Sequence, residues 1–205
     1  MKVTVFGATG GTGQEIVQQA LDAGHEVTAL VRDSSKLDLK HDKLYFVIGD
    51  VLNPEKVEEA LAGSEAVCCS LGNTANNPDF VVSTGTKNII DSMTKQNIKR
   101  LVVVSALGVG DSRDRVSRSF KVLMKTVLRK AYEDKERQEQ LVRDSGLDWV
   151  IVRPGGLTNG PATGDFEFGL DPSIGGGQVS RADVACFVLQ QLSDDTFLRQ
   201  TPAIT

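Results

Sequence analysis

The 205-residue sequence has few aromatic residues and no long apolar run. Aromatic residues make up 5% of the chain, so a tight aromatic cage around a single ligand is not expected. No apolar run approaches the roughly 18 residues of a membrane-spanning helix, and the first residues show no signal-peptide pattern. The formal net charge of −4 argues against nucleic acid or an anionic membrane as a partner.

Cysteine is scarce as well, since the chain has only Cys68, Cys69 and Cys186, all in apolar stretches. Neighbouring residues of a strand point to opposite faces, so Cys68 and Cys69 are not expected to form a disulfide. We predict reduced core cysteines in a reducing compartment, the cytoplasm, with a redox pair as the alternative. No metal site is predicted.

Strand and helix patterns alternate along almost the whole chain. Continuous apolar runs between helices indicate parallel strands that are buried on both faces. Strands are predicted at 3–6, 25–31, 44–48, 66–70, 100–105 and 149–152, and helices at 13–23, 54–61, 79–96, 115–145 (broken once) and 181–192. With right-handed crossovers, residues 1–205 are expected to form a single-domain α/β Rossmann fold, a doubly wound parallel sheet with helices on both faces.

The stretch VTVFGATGGTG joins the first strand to the first helix through a glycine-rich turn. Gly7 would permit the tight turn, Gly10 would let the backbone approach a diphosphate, and Gly13 would let the helix pack closely on the strand. Free N–H groups and the positive end of the helix then face the anion. The predicted cofactor-binding residues here are Gly7, Thr9, Gly10, Gly11, Thr12 and Gly13. The alternative is a glycine-rich turn without a ligand.

The end of the second strand predicts which dinucleotide is bound. Many NAD-binding folds place an acidic residue there, on the ribose 2′-hydroxyl, whereas this chain has Arg32, with Ser35 and Lys36 close behind. A guanidinium suits a 2′-phosphate, so we predict NADPH in preference to NADH. The alternative is that Arg32 and Lys36 are solvated surface charges.

Two further strand ends are expected to contact the cofactor. At the third, the Asp50 carboxylate would accept from the adenine amino group while Val51 packs on the ring; the alternative for Asp50 is a helix cap ahead of Pro54. At the fourth, Leu71 and Gly72 would leave room for the cofactor's ribose.

The segments GATGGTG from Gly7, DVL from Asp50, VVVSA ending at Ala106 and SGLDWVIVRPGGL from Ser145 cover nearly the whole chain. Together they resemble the short-chain dehydrogenase/reductase superfamily, in its atypical, NmrA-like branch of NAD(P)H-binding proteins. Within that branch, the VRDSSKL and VIGDVL segments are similar to the NADPH-dependent flavin reductase and biliverdin-IXβ reductase group.

The resemblance implies catalytic roles for Ser105 and Lys135. Ser105 matches the serine that ends the fifth strand and would contact the nicotinamide carboxamide or the hydride acceptor. Lys135 matches the helix lysine and would bond to the nicotinamide ribose. The alternatives are a strand-end turn role for Ser105 and a solvated charge at Lys135. The superfamily's tyrosine position falls on Ala131, and Tyr132 stands one residue later, about 100° around the helix, which argues against tyrosine acid catalysis.

The same resemblance assigns the nicotinamide pocket to Pro154, Gly155, Gly156 and Leu157, which would line it with backbone groups and a small apolar wall. They open the irregular stretch of about 153–178, whose length is typical of a pocket wall or lid, so we expect it to form the acceptor pocket. Phe166 and Phe168 in that stretch would stack on a planar ring or, alternatively, pack beneath the loop.

The implied activity is NADPH-dependent hydride transfer to flavins (FMN, riboflavin), with biliverdin or another planar acceptor as a further substrate. The protein would orient the reactants and water would supply the proton. The expected partner is thus a small flavin or linear tetrapyrrole, bound by a monomer. The alternative is a non-catalytic NAD(P)H-binding redox sensor or assembly factor, like the NmrA-like and Tic62-like proteins. A sugar-nucleotide reductase or epimerase would need a larger C-terminal domain.

Overall fold

In a computed structural model that describes residues 1–74 and 79–205, the chain forms one main sheet flanked by helices. The strands are β1 Lys2–Phe6, β2 Glu26–Val31, β3 Leu44–Ile48, β4 Ala66–Cys69, β5 Arg100–Val104, β6 Asp148–Pro154, β7 Gly156–Thr158, β8 Phe168–Gly169, β9 Gln178–Ser180 and β10 Ala203–Ile204. The helices are α1 Gly11–Asp22, α2 Pro54–Leu61, α3 Val81–Lys95, α4 Arg118–Lys125, α5 Arg129–Asp144 and α6 Arg181–Gln190.

The strand order explains where a ligand can enter the fold. The eight-stranded sheet runs β3-β2-β1-β4-β5-β6-β10-β8, and β7 pairs with β9 in a separate parallel ribbon. All pairs of the main sheet are parallel except β8 with β10. The chain winds outward from β1 through β2 and β3, then crosses back to β4 on the other side. A crevice therefore opens between the carboxyl ends of β1 and β4, where such folds bind ligands.

Both faces of the sheet are covered, as the continuous apolar strands predicted. Val5 lies in the core beneath α1 and α6 with Ile16 and Phe187, whereas Phe6 lies in the core beneath α2, α3 and α5. Successive residues of β1 thus supply opposite cores. The prediction of a doubly wound Rossmann fold is confirmed.

The cysteines follow the same alternation. Cys68 belongs to one core and Cys69 to the other, and all three cysteines are free thiols. Burial raises the pKa of the Cys68 thiol to about 12, with the neighbouring Cys69 adding to the shift. Within the described ranges, no helix has the length and apolarity needed to cross a membrane.

The differences from the predicted elements lie in the second half of the chain. The helix expected at 115–145 is divided into α4 and α5, with the break at 126–128, as anticipated. The irregular stretch contains β7 and β8, and the two-residue strand β10 extends the sheet beside β6. Two- and three-residue strands carry too little periodicity to be read from a sequence.

Candidate cofactor and active site

The glycine-rich turn after β1 has clear steric reasons for two of its glycines. Gly7 has a positive φ of 82°, and a Cβ there would lie 2.6 Å from the Ser70 carbonyl oxygen. A Cβ on Gly13 would lie well inside contact distance of the Gly7 carbonyl oxygen and 2.9 Å from Ala8 Cα. The turn thus packs directly on its own helix, and a side chain at either glycine would force it apart.

Gly10 differs from these two, because a Cβ there would meet only the Gly7 carbonyl oxygen, at 3.3 Å. Gly10 is the N-cap of α1, and in the described part of the chain no side chain caps that first turn. Gly10 and Gly11 are exposed, Thr9 is half-buried and Thr12 is buried. The backbone N–H groups at the start of α1 are consequently presented to the crevice.

One side chain near this turn was not predicted from the sequence. A Cβ on Gly11 would lie 2.7 Å from Arg181 Cδ, so the Arg181 side chain from α6 lies across the turn. Its Nη1 donates to Asn159 Oδ1 at 2.5 Å. A guanidinium is therefore held at the edge of the predicted diphosphate site, by a residue 170 positions away that no local motif would single out.

The predicted 2′-phosphate residues lie together beyond β2. Asp33 accepts hydrogen bonds from the Ser35 N–H (3.0 Å) and the Ser35 hydroxyl (2.7 Å), which lower the pKa of its carboxyl group. Arg32 Nη1 lies 4.0 Å from Asp50 Oδ2. Gln14 Nε2 donates to the carbonyl oxygens of Thr9 and Lys36, each at 3.3 Å. The cluster thus borders the glycine-rich turn directly.

Asp50 is not a helix cap. Its Oδ1 accepts from the Leu52 N–H at 2.9 Å, whereas α2 is capped by Asn53, which accepts from the Glu55 N–H at 2.9 Å. The alternative given for Asp50 is therefore wrong, and its second carboxylate oxygen faces Arg32 across 4.0 Å.

Val51 and Leu71 meet over α3. A Cβ on Gly85 would lie 2.7 Å from Val51 Cγ1 and 3.2 Å from Leu71 Cδ1, so this helix glycine allows both side chains to approach. Val51 is buried, Leu71 is half-buried and Gly72 is exposed. The predicted adenine and ribose contacts therefore share one apolar wall, beside the β1–β4 crevice.

Ser105 follows β5 and belongs to a buried polar network. Its hydroxyl donates to Glu139 Oε1 at 2.6 Å. Arg153, which is 1% exposed, donates to Glu139 through Nε (3.0 Å) and Nη2 (2.6 Å), and to Asp111 through Nη1 (2.5 Å). Burial lowers the pKa of Arg153, but the bonds and charges of Glu139 and Asp111 outweigh it and raise that pKa above its usual value.

Lys135 is directed at the end of β5. Its Nζ donates to the Val104 carbonyl oxygen at 3.1 Å, which excludes the alternative of a purely solvated charge. Burial lowers the pKa of Lys135, against the raising effect of Cys69, Glu139 and Asp134. Ser105 and Lys135 thus both lie at the carboxyl end of β5.

Tyr132, one helix residue after the expected acid position, is occupied elsewhere. Its hydroxyl donates to the Leu107 carbonyl oxygen at 3.2 Å, and its ring makes an edge contact with Phe120 at 6.2 Å between centroids. Burial raises the pKa of the Tyr132 hydroxyl. Proton donation by this side chain would require breaking the Leu107 contact.

The backbone of the loop after β6 is paired with neighbouring segments. The Gly155 N–H donates to Ile204 O (2.9 Å) and the Gly156 N–H donates to Gly177 O (3.0 Å), while Pro154 O accepts from Leu107 N (2.8 Å). Strand pairing therefore uses both N–H groups, and the assignment of these residues to the nicotinamide pocket stays a prediction. Leu157 is 38% exposed.

The aromatic residues of the irregular stretch pack with one another. Phe168 lies 5.8 Å from Phe166, 5.0 Å from Phe187 and 6.1 Å from Phe197, centroid to centroid. Phe168 thus packs against three rings while 48% of it remains exposed, and stacking on a planar ring stays a prediction. In the residues that the structure describes, no group of three or more His, Cys, Asp or Glu side chains is placed to hold a metal ion.

Comparison with known proteins agrees with this geometry. The chain matches the NAD(P)H-binding family over residues 7–195. It belongs to that family. The NAD(P)H-binding membership that the sequence resemblance implied is therefore confirmed.

Two plant proteins are similar to this NAD(P)H-binding chain. One is an uncharacterized chloroplastic protein of Arabidopsis thaliana, 34% identical over 93% of this chain and 71% of its own length. The other is the chloroplastic protein TIC 62 of Arabidopsis thaliana, 26% identical over 89% of this chain but only 32% of its own length.

Two solved structures share its fold. ChuY, an anaerobillin reductase from Escherichia coli O157:H7, is 26% identical with a TM-score of 0.84 over 100% of this chain and 96% of that one. A short-chain dehydrogenase/reductase from Veillonella parvula in complex with NADP superposes with a TM-score of 0.83 at 21% identity, over 99% of this chain and 93% of its own. At that identity the second match establishes the fold alone.

Proposed function

We propose that this protein is an NADPH-dependent reductase that transfers hydride to planar acceptors, namely flavins (FMN, riboflavin) and biliverdin. One observation carries the proposal. Beside a dinucleotide turn, the two hydroxyl groups suited to protonating a carbonyl already donate elsewhere, Ser105 to Glu139 and Tyr132 to Leu107. A conjugated ring system accepts hydride without a strong protein acid, so it suits this site better than a ketone does.

The residues present fit a nicotinamide dinucleotide. The start of α1, which no side chain of the described residues caps, and the open side of Gly10 suit a diphosphate. The exposed Arg32, Ser35 and Lys36 suit a 2′-phosphate, and they support NADPH over NADH. Val51 and Leu71 would hold the adenosine half in apolar contact.

The bound cofactor would supply the hydride, and this chain's own residues would orient it. Lys135, anchored to the Val104 carbonyl oxygen by one N–H, keeps further N–H donors for the ribose hydroxyls. Leu157 and the loop after β5 would shield one face of the nicotinamide from water. The proton that follows the hydride would come from water, because the Ser105 and Tyr132 hydroxyl groups already donate elsewhere.

The test is steady-state NADPH oxidation with FMN, riboflavin and biliverdin offered separately. Lys135→Met should lower the rate severalfold or more, whereas Lys130→Met should leave it unchanged, because the exposed Lys130 pairs with Asp79 at the surface. Absence of turnover above the free-solution background with every acceptor would contradict the proposal.

A second candidate is a non-catalytic NAD(P)H-binding redox sensor or assembly factor. It is favoured by Ala131 at the acid position and by a relative named photosystem II assembly factor Ycf39 in Synechocystis, 31% identical over 78% of this chain and 46% of its own length. This alternative predicts cofactor binding without turnover and a stable protein partner. For either function we propose a reducing compartment such as the cytoplasm, consistent with the free buried thiols.

A further inference from the structure

The hydroxyl group of Ser105 is fixed by a carboxylate whose hydrogen-bonding capacity is full. Glu139 Oε1 accepts from Ser105 Oγ (2.6 Å) and Arg153 Nε (3.0 Å). Glu139 Oε2 accepts from Arg153 Nη2 (2.6 Å) and Arg143 Nη2 (3.2 Å). An ionised carboxylate offers about four lone-pair sites, so every one of them has a donor.

This count determines which way the Ser105 proton points. Glu139 is 3% exposed and Arg153 is 1% exposed, and the two form a close ion pair at 2.6 Å. Three N–H donors from the guanidinium groups of Arg153 and Arg143 converge on Glu139, an arrangement that suits a carboxylate that only accepts hydrogen bonds. The carboxylate is therefore the acceptor, and the single Ser105 proton is committed to it.

A serine oxygen whose proton is committed in this way presents only lone pairs to a ligand. It can accept a hydrogen bond from an N–H group, and it cannot donate one to a carbonyl oxygen without leaving Glu139. The Ser105 N–H is also occupied, donating to the Val152 carbonyl oxygen at 2.8 Å. Ser105 itself is only 4% exposed, so its orientation is not averaged by solvent.

We propose that Glu139, held by Arg153, is a positioning residue that makes Ser105 an obligate hydrogen-bond acceptor, so that the site selects a ligand bearing an N–H group. This inference rests on the proposed function. Two ligand groups have the required chemistry: the carboxamide NH₂ of the nicotinamide and the ring N–H of a flavin or a tetrapyrrole. A carbonyl substrate that depends on donation from Ser105 would be disfavoured.

The test compares matched ligands on the full-length protein. For the nicotinamide, equilibrium binding of NADP is compared with its 3-acetylpyridine analogue, in which a methyl group replaces the NH₂. For the acceptor, kcat/KM for a flavin is compared with its N3-methylated form. One pair should show a preference of about 5–10-fold for the N–H ligand in the wild type, the size expected of one hydrogen bond. Ser105→Ala should reduce that preference to less than about twofold.

Glu139→Gln supplies a second, independent readout. The new amide can donate to Ser105 Oγ and turn the serine proton outward. The preference for the N–H ligand should then disappear or reverse, whereas a general loss of activity would leave that preference in place. Glu136→Gln is the matched control, because Glu136 lies on the same helix, lines the same cleft of about 620 Å³ and pairs with Arg113 rather than Ser105. This control should keep the wild-type preference.

The outcomes separate the two proposals. Normal turnover with no preference in either ligand pair, or a preference that survives Ser105→Ala, would overturn the inference and leave the reductase standing. Absence of any NADP binding would overturn both. Because both ligand pairs are also compared on the wild-type protein, the inference can be refuted even if a variant folds poorly.

Discussion

Gly10→Ala and Gly13→Ala should differ in their effect on the free energy of unfolding, although the two glycines are three residues apart in one turn. At Gly10 the backbone has φ −77° and ψ 156°, which any residue adopts, and a Cβ would meet only one carbonyl oxygen at 3.3 Å. Alanine lowers the conformational entropy of the unfolded chain relative to glycine, which stabilises the fold by about 0.4–1 kcal/mol. This stabilisation offsets the poorer N-cap. We expect Gly10→Ala to change the free energy of unfolding by no more than about 1 kcal/mol.

Gly13→Ala is expected to damage the fold itself. Its Cβ would lie 2.8 Å from the Gly7 carbonyl carbon and closer still to the oxygen, so α1 would have to move away from the turn. Overpacking of this kind costs about 1–3 kcal/mol. In a chain of this length that corresponds to a fall in Tm of about 2–12 °C.

Although Gly10→Ala should leave stability nearly unchanged, it should weaken NADPH binding. A methyl group on Gly10 points towards the space in which a diphosphate would lie, so Gly10→Ala should lose at least one charge-assisted hydrogen bond, about 1.5–3 kcal/mol. This is a rise of roughly 10–150-fold in the NADPH Kd. Thermal unfolding with and without NADPH, together with calorimetric titration, measures both quantities. A Gly10→Ala protein of normal stability that binds NADPH as tightly as the wild type would refute the placement of the diphosphate.

Three further predictions concern other sites. Arg32→Ala should weaken NADPH binding by about 1.5–3 kcal/mol and leave NADH nearly unchanged in paired titrations; equal losses would show that Arg32 does not contact a 2′-phosphate. Burial raises the pKa of the Cys68 thiol to about 12, so a thiol reagent should label the half-buried Cys186 well before the buried Cys68 or Cys69, and rapid labelling of all three in the native protein would contradict this. Burial raises the pKa of Asp183, but hydrogen bonds from Ser180 and 163–164 outweigh it and lower that pKa below 3.8. The stabilisation of the fold by the ionised Asp183 carboxylate is therefore present above pH 3.8 and is lost as the pH falls through the lowered pKa of Asp183. Asp183→Asn should cost about 1–3 kcal/mol at pH 7 in urea titrations, a difference that narrows in acid; one that is independent of pH would contradict the linkage.

The sequence predicted the parts of the fold that repeat or that depend on local sterics. The long parallel strands carry continuous apolar runs, and Gly7 and Gly13 are dictated by the tight strand-to-helix turn. Short strands such as β10 were missed because two residues have no period. The N–H partners of Gly155 and Gly156, which are Ile204 and Gly177, could not be predicted because they are distant in sequence.

Side chains that act through distant partners were also beyond prediction. Arg181 lies across the glycine-rich turn only because α6 packs on α1. Asp134 accepts from the backbone N–H groups of Val82 (3.0 Å) and Ser83 (2.8 Å), so α5 caps the start of α3. A helix cap is normally predicted from the residue just before the helix. Here that residue is Phe80, with φ 61°, whose apolar side chain cannot accept a hydrogen bond from the helix.

The buried ion pair behind Ser105 shows why such a network bears on function rather than on stability. Removing Arg153 and Glu139 from water costs several kcal/mol each, and their mutual attraction recovers that cost only when every hydrogen bond is made. Well-packed apolar residues of similar volume would stabilise the same space equally well or better. What an apolar pair would lack is an acceptor for the Ser105 proton, and the hydroxyl would then be free to donate towards a ligand. A buried ion pair of this kind is weak evidence for a role in stability, and the role proposed for it is to orient the Ser105 hydroxyl group.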